Sequence, residues 1–473
     1  MRKTKIIATV GPACGTEKKL TALVRAGVDI FRINASHTTP RGIQDWTRRV
    51  RRAETRSGKT VSILVDLQGP RIRTGKLKDN KPVFLKSGAR VMIAMSSNAG
   101  TETRITTACR EFSKMVKAGD QILLDNGLLE LRVLSIKKEG VLCKVITGGT
   151  LGENKGINLP HAPVTLPALS RKDQMDLKAA VRSGADFIAL SFVRSEKDVC
   201  TLKDWLRKHG QDIPVIAKIE KPRAVDRIDL ILKESGGVMV ARGDLGIEMG
   251  VEKVPVIQKK IIEDARGMKI PVITATQMLE SMMENARPTR AEASDIANAV
   301  LDGTDAVMLS GETSIGRYPL ESVRMMAKII EEAERGLGEI PMSGALFDSH
   351  SKSGCMEDAI VHAARHAAMD TRAKAILVFT RSGKMVASIC KYRPLSGIFA
   401  LAPSVKISRR LTIFRGVTPL LFLKRKNLQT IFQSAYRLML KKKRVKRGDV
   451  VITLAAENAF PSDSYLARVS QIT

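Results

Sequence analysis

The chain has 473 residues, 44% of them apolar and 4% aromatic, with 79 Lys and Arg against 48 Asp and Glu for a net charge of +31. That length suits about three domains or a large barrel with additions. The six scattered cysteines, never as CxxC, exclude a disulfide framework or a cysteine zinc site and fit a reducing cytoplasm. No apolar run approaches the ~18 residues a membrane helix needs. So few aromatics exclude a stacking platform for single strands, and the charge alone supports at most non-specific nucleic-acid binding.

The basic start MRKTKIIATVG resembles a leader, but its apolar part ends too soon at Gly11-Pro12 and reads as a first strand. Further short apolar runs follow: DIFRIN, VSILVDL, DFIALSF, PVIAKIE, GVMVARGD, PVITAT and DAVMLSGE. Between most of them lie helical periods such as KDQMDLKAAVRSGA and PVIQKKIIEDARGM. Nearly continuous apolar strands alternating with helices imply a parallel sheet, and about eight such units imply a closed (β/α)8 TIM barrel. The alternation breaks between the third and fourth strands, where β-branched, turn-rich segments such as VFLKSGARVMIAM and GVLCKVIT predict an inserted small β-barrel lid domain. After the eighth strand, EIPMSGALFDSHSKSG reads as a linker, and renewed alternation from MEDAIVHAARHAAMD to DVVITLAA predicts a C-terminal open α/β domain. The expected boundaries are 1–69 and 170–340 for the barrel, 70–169 for the lid and 345–473 for the C-terminal domain. The basic tracts KRK at 424–426 and KKKRVKR at 441–447 read as solvated helix ends.

In a barrel of this kind the reactive groups stand at the C-terminal ends of the strands. The second strand ends in Arg32, Asn34 and Ser36, and the third in Asp66, Gln68, Arg71 and Arg73. The fifth ends in Lys218 and Glu220, the sixth in Asp244 after Gly243, and the seventh in Thr274 and Thr276. Lys218 and Glu220, two residues apart in an extended chain, aim at one face. Glu220 and Asp244 on neighbouring strands suit a shared Mg²⁺, which takes one or two carboxylates and completes its shell from substrate oxygens. Lys218 and Arg32 beside it suit an anion whose charge shifts during reaction, as in phosphoryl transfer. A structural salt bridge would explain any one pair; five converging strand ends favour a site. His362 and His366 stand at i, i+4 but lack a third ligand and read as surface or packing histidines. No GxxxxGK[ST] occurs, and TRSGK at 380–384 reads equally as a phosphate-holding helix start or an ordinary turn.

The stretches TKIIATVGPA, FRINASH, VDLQGPRIRTG, KGINLP, IAKIEKP, MVARGDLGIE, TATQMLESM, PTRAEASDIANAVLDGTDAVMLSGET and YPLESV closely resemble the pyruvate kinase family, in order and nearly throughout the chain. The resemblance implies phosphoryl transfer from phosphoenolpyruvate to ADP, then protonation of the enolate, in a cytoplasmic homotetramer. It implies Glu220 and Asp244 as ligands of Mg²⁺ (or Mn²⁺), and Lys218 as the neutraliser of the moving group. Gly243, Asp244 and Thr276 would hold the substrate carboxylate, with Thr276 near the proton path and Arg32 on the phosphate. Arg73, Lys155 and His37 would meet the nucleotide, and Asn34, Ser36 and Asp66 match a monovalent-cation site. The lid would exclude water. A Mg²⁺-dependent lyase or aldolase of 2-oxo acids on the same barrel is the alternative.

The departures from the family pattern carry their own expectations. Members that require K⁺ carry threonine and glutamate where this chain has Leu67 and Arg71, and members that dispense with it resemble DLQGPKIR. Arg71 is therefore expected to supply the charge of K⁺. Asp125-Asn126-Gly127 stands where two aspartates are usual, which implies a modest change in lid closure. ENAFPSDSYLAR lacks the glycines of the family's effector loop, and Met385 replaces a small hydroxyl residue after TRSGK, so sugar-phosphate activation is not expected.

Overall fold

The computed structural model describes residues 2–160, 166–339, 355–422, 428–456 and 464–473. Eight strands close into a parallel barrel: β1 (Lys5–Thr9), β2 (Ile30–Asn34), β3 (Ser62–Asp66), β4 (Phe187–Leu190), β5 (Val215–Ile219), β6 (Gly237–Ala241), β7 (Val272–Ala275) and β8 (Ala306–Leu309), with β8 pairing back onto β1. Each strand is buried nearly throughout, as a sheet covered on both faces requires. Local signals set the surrounding helices. Ser170 and Asp173 form a capping box before the helix Arg171–Ser183, Thr289 and Glu292 form another before Arg290–Asp302, and Gly184 and Gly303 end them in left-handed conformation.

The period of two along each strand decides what fills the barrel. Ile7, Ile30, Leu64, Ala189, Ile216, Met239 and Ile273 face inward as one apolar cluster. Two residues further on, the same faces present Thr9, Arg32, Asp66, Ser191 and Lys218. An apolar plug thus carries a charged layer directly above it.

Between β3 and β4 the chain builds a seven-stranded sheet, from Ile72–Arg73 to Gly156–Asn158, and a two-stranded pair, Val83–Leu85 with Gly149–Leu151. This lid has its own core around Ile93, Phe112, Leu131 and Val141. Beyond the barrel a five-stranded sheet carries Ala375–Phe379 at its centre, parallel except for the last strand, Tyr465–Gln471. The segment read as a linker, the tract at 424–426 and most of ENAFPSDSYLAR lie outside the described residues. KKKRVKR follows the helix Leu428–Lys441 and is exposed except for Val445, as a solvated helix end should be.

The C-terminal domain closes the barrel floor. Ile413 joins the barrel's inner cluster, and Lys5 Nζ donates to the Val417 carbonyl at 2.6 Å. Arg393 pairs with Asp305 at 2.6 Å, and Arg415 reaches Glu334 at 3.6 Å.

Candidate active site

Lys218 stands at the centre of the barrel mouth. Its Nζ donates to Ser191 Oγ at 2.8 Å and lies 3.0 Å from Glu220 Oε1 and 3.3 Å from Asp66 Oδ1. Arg32 braces the other side of Asp66, Nε to Oδ2 at 2.8 Å, and also donates to Thr9 Oγ1 at 3.1 Å. All four charged groups are buried. Burial works against the Lys218 charge, but Asp66 and Glu220 outweigh it and raise the ammonium above its ordinary range. Burial would likewise lift Asp66, yet Lys218 and Arg32 hold it below the usual carboxylate range.

Glu220 goes the other way. Burial raises it and the nearby Asp244 charge raises it further, despite Lys218 and the Phe192 N–H, which reaches Glu220 Oε2 at 2.6 Å. The two partners of one ion pair therefore shift upward together: the lysine gains from two anions, and the glutamate has one cation against burial and a second carboxylate. The lysine remains an ammonium. Glu220 Oε1 is buried, and the Lys218 ammonium 3.0 Å away is its one partner among the described residues. A buried carboxylate oxygen with a single cation on it, and a second carboxylate near enough to raise its pKa, fits a divalent cation. Among the described residues no three His, Cys, Asp or Glu gather as metal ligands, so Glu220 and Asp244 would hold a cation that takes its remaining oxygens from substrate and water.

Gly243, Asp244 and Thr276, the residues expected to hold a substrate carboxylate, are also together. Asp244 lies in the first turn of the helix Arg242–Met249, directly after β6. The Gly243 N–H donates to Thr276 Oγ1 at 2.9 Å, and that hydroxyl donates to the Ala275 carbonyl at 2.6 Å. A Cβ on Gly243 would make only ordinary contact with Thr276, so the protein leaves room there. Thr276 has φ +70° and Gln277 φ +54°, and a β-branched residue in the left-handed region is strained. Arg242 holds this turn, giving Nη2 to the Thr276 carbonyl at 2.7 Å and Nη1 to Asp295 at 2.6 Å.

Asn34 and Asp66 are register partners on β2 and β3, and Asn34 Oδ1 accepts from the Ser36 backbone at 3.1 Å. Arg71 Nη2 approaches Asp244 Oδ1 at 3.9 Å and Asn126 Oδ1 at 3.4 Å, so it links lid and mouth. Asp125, Asn126 and Gly127 all have positive φ, a conformation that asparagine accepts more readily than most residues. Lys155 pairs with Asp125 at 2.9 Å and Arg73 donates to the Asn154 carbonyl at 3.0 Å, which puts both on the lid's inner edge. His37 is exposed on the rim; partial desolvation, then Arg73, Arg32 and Arg71, push its pKa down.

Several contributors escaped the sequence reading. Ser191 and Phe192 follow β4, and Phe192 has φ +55°, which turns its N–H onto Glu220. Glu248 accepts from Asn158 Nδ2 at 2.8 Å and pairs with Lys221, tying lid to barrel. The SF after DFIAL was a usable signal for the first pair; nothing local marks Glu248.

A closed barrel whose strand ends gather cations and carboxylates beside an inserted β domain defines a (β/α)8 enzyme with its site at the C-terminal mouth. Its lineage is equally plain. Residues 1–323 match the family description "Pyruvate kinase, barrel domain" and residues 358–464 match "Pyruvate kinase, alpha/beta domain". The chain is 41% identical over 462 residues to a pyruvate kinase of Staphylococcus saprophyticus, covering 96% of this chain and 78% of the relative. It is 39% identical to that of Clostridium acetobutylicum, covering 96% of both. The crystal structure of a pyruvate kinase from Cryptosporidium parvum is similar, with TM-score 0.93 and 35% identity over 100% of this chain and 96% of that one. The chain belongs to the pyruvate kinase family and is a phosphotransferase; the lyase reading is not favoured.

Proposed function

We propose that the chain moves the phosphoryl group of phosphoenolpyruvate to ADP with Mg²⁺ (or Mn²⁺) held by Glu220 and Asp244. The bond between phosphorus and the enol oxygen breaks, a bond to the terminal oxygen of ADP forms, and the enolate takes a proton to give pyruvate. A dication at that position supplies charge neutralisation for the phosphate and the enolate oxygen. Lys218 meets the charge on the transferring group, and Arg32 orients the substrate phosphate. The Gly243–Asp244 turn and Thr276 receive the substrate carboxylate, with the Thr276 hydroxyl on the route of the incoming proton. Arg73, Lys155 and His37 on the rim and lid edge engage the nucleotide phosphates.

We further read the enzyme as independent of K⁺. Arg71 brings a fixed guanidinium to Asp244, while Asn34, Ser36 and Asp66 form a residual monovalent-cation site whose carboxylate is already paired with two cations. A cytoplasmic homotetramer completes the reading. No helix among the described residues is long and apolar enough to cross a membrane.

The buried Lys218 ammonium between the Glu220 and Asp66 carboxylates at the barrel mouth is the observation that carries this function. The test is ATP formation from phosphoenolpyruvate and ADP in K⁺-free buffer, with Mg²⁺ varied. Turnover that needs Mg²⁺ and rises little with K⁺, against a salt of matched ionic strength, is the expected result. No ATP in any condition refutes the function; strong activation by K⁺ refutes only the role of Arg71.

A further inference from the structure

The helix Met356–Asp370 opens the C-terminal domain, on the side of the molecule that closes the barrel floor. On it, His362 and His366 occupy adjacent turns with their Nε2 atoms 3.2 Å apart and their rings 4.5 Å apart. Two nitrogens on one metal at about 2.1 Å, subtending a right to tetrahedral angle, stand roughly 3.0–3.4 Å apart. The two nitrogens share one proton across that gap, one imidazole donating to the other, and the separation falls in the range two nitrogens on one metal need, so an ion would replace that proton. The ring of buried Tyr392 packs edge-on against His362 at 5.5 Å, which limits how that imidazole can turn. His366 is exposed, so a metal has an approach from solvent.

We propose that His362 and His366 chelate a divalent late transition metal, such as Ni²⁺, Zn²⁺ or Cu²⁺, at a site separate from the barrel mouth. Two imidazoles occupy two coordination positions and water takes the others. The all-nitrogen donor pair selects this class of ion over Mg²⁺, which demands oxygen ligands. The metal staples one turn of the helix across its own i, i+4 spacing. Half of a four-ligand set implies a dissociation constant on the order of 10 µM.

The experiment titrates Ni²⁺ into the full chain, freed of metal by chelator, by calorimetry near neutral pH. Wild type binds one more Ni²⁺ than His366→Ala or His362→Ala, and millimolar Mg²⁺ leaves that site filled. Ni²⁺ also raises the melting temperature of wild type more than that of either variant. Alanine favours the helix, so both variants are expected to fold; His366→Gln supplies the same comparison otherwise. Equal Ni²⁺ stoichiometry in wild type and variants overturns the proposal, as does an affinity weaker than about 1 mM, which is too weak for a two-imidazole chelate.

Discussion

Replacing Lys218 by methionine keeps a long side chain and removes one charge from between two buried carboxylates. The ammonium lies 3.0 Å from Glu220 and 3.3 Å from Asp66. At an effective dielectric constant of about 20, each contact amounts to about 5 kcal/mol before desolvation is subtracted. Breaking a buried pair by removing one partner costs a net ~3–5 kcal/mol, because the remaining charge is stranded. Asp66 keeps Arg32, so Glu220 bears most of the loss and takes up a proton at higher pH than in wild type. The variant should therefore lose stability and also fall at least ~10²-fold in kcat, the scale of one preorganised electrostatic contact. The two effects separate in a second variant. Lys218→Met with Glu220→Gln removes the stranded charge and should recover most of the stability in urea melts, yet none of the turnover in a coupled ATP assay. A folded Lys218→Met enzyme within about threefold of wild-type kcat would refute the placement of this cation on the transferring group.

Arg71→Glu should convert the enzyme to K⁺ dependence, losing roughly 10²-fold in K⁺-free turnover and regaining much of it with added K⁺; steady-state rates over a K⁺ series decide it, and unchanged K⁺-free activity rejects the idea. Gly69 has φ +68°, and a Cβ there would lie 2.8 Å from the Ser191 carbonyl oxygen, so Gly69→Ala should shift Ser191 off Lys218 and cost about tenfold or more in kcat; an unperturbed rate means the turn relaxes elsewhere. Burial pushes Lys5 down to about 8. Its folded pKa is below its unfolded one, so the unfolded chain holds more protons between about 8 and 10.5 and stability rises with pH through that window. Against Lys5→Met, wild type should gain about 2 kcal/mol from pH ~7.5 to ~9.5 in urea melts, and a flat difference contradicts the burial cause.

The barrel was legible because parallel strands buried on both faces leave continuous apolar runs, and all eight appear in the sequence as such. The mouth was legible for a related reason. Lys218 and Glu220 break an apolar strand with period two, and a charge inside such a pattern has few purely structural explanations. What remained hidden depends on backbone reversals and distant partners. Phe192 reaches Glu220 only through a positive φ, and Arg242 closes on Thr276 across 34 residues of chain. The Glu248 carboxylate meets Asn158 across 90 residues. Arg71 reads in the sequence as the charge that replaces K⁺, but its contacts with Asp244 and Asn126, across a turn with positive φ at Gly69, are not written in the local sequence. The histidine pair was visible as spacing, but the approach of its nitrogens depends on rotamers that no spacing specifies.

The two ends of the barrel use charge in different ways. Against the C-terminal domain three ion pairs are short, Arg393 with Asp305, Lys269 with Asp358 and Arg409 with Glu54, each at 2.6 Å, beside longer ones from Arg410 to Asp212 at 3.3 Å and Arg415 to Glu334 at 3.6 Å. At the mouth the pairs lengthen toward the proposed ligand position, from Arg32 with Asp66 at 2.8 Å to Lys218 with Glu220 at 3.0 Å and Arg71 with Asp244 at 3.9 Å. Short buried pairs are costly to break and fix one arrangement. The Arg71–Asp244 pair, at 3.9 Å, exchanges partners at less cost, because a ligand replaces a contact that was never fully made. The same residue types thus tie the floor together and leave the mouth open to the proposed dication and phosphate, the electrostatic preorganisation that phosphoryl transfer requires.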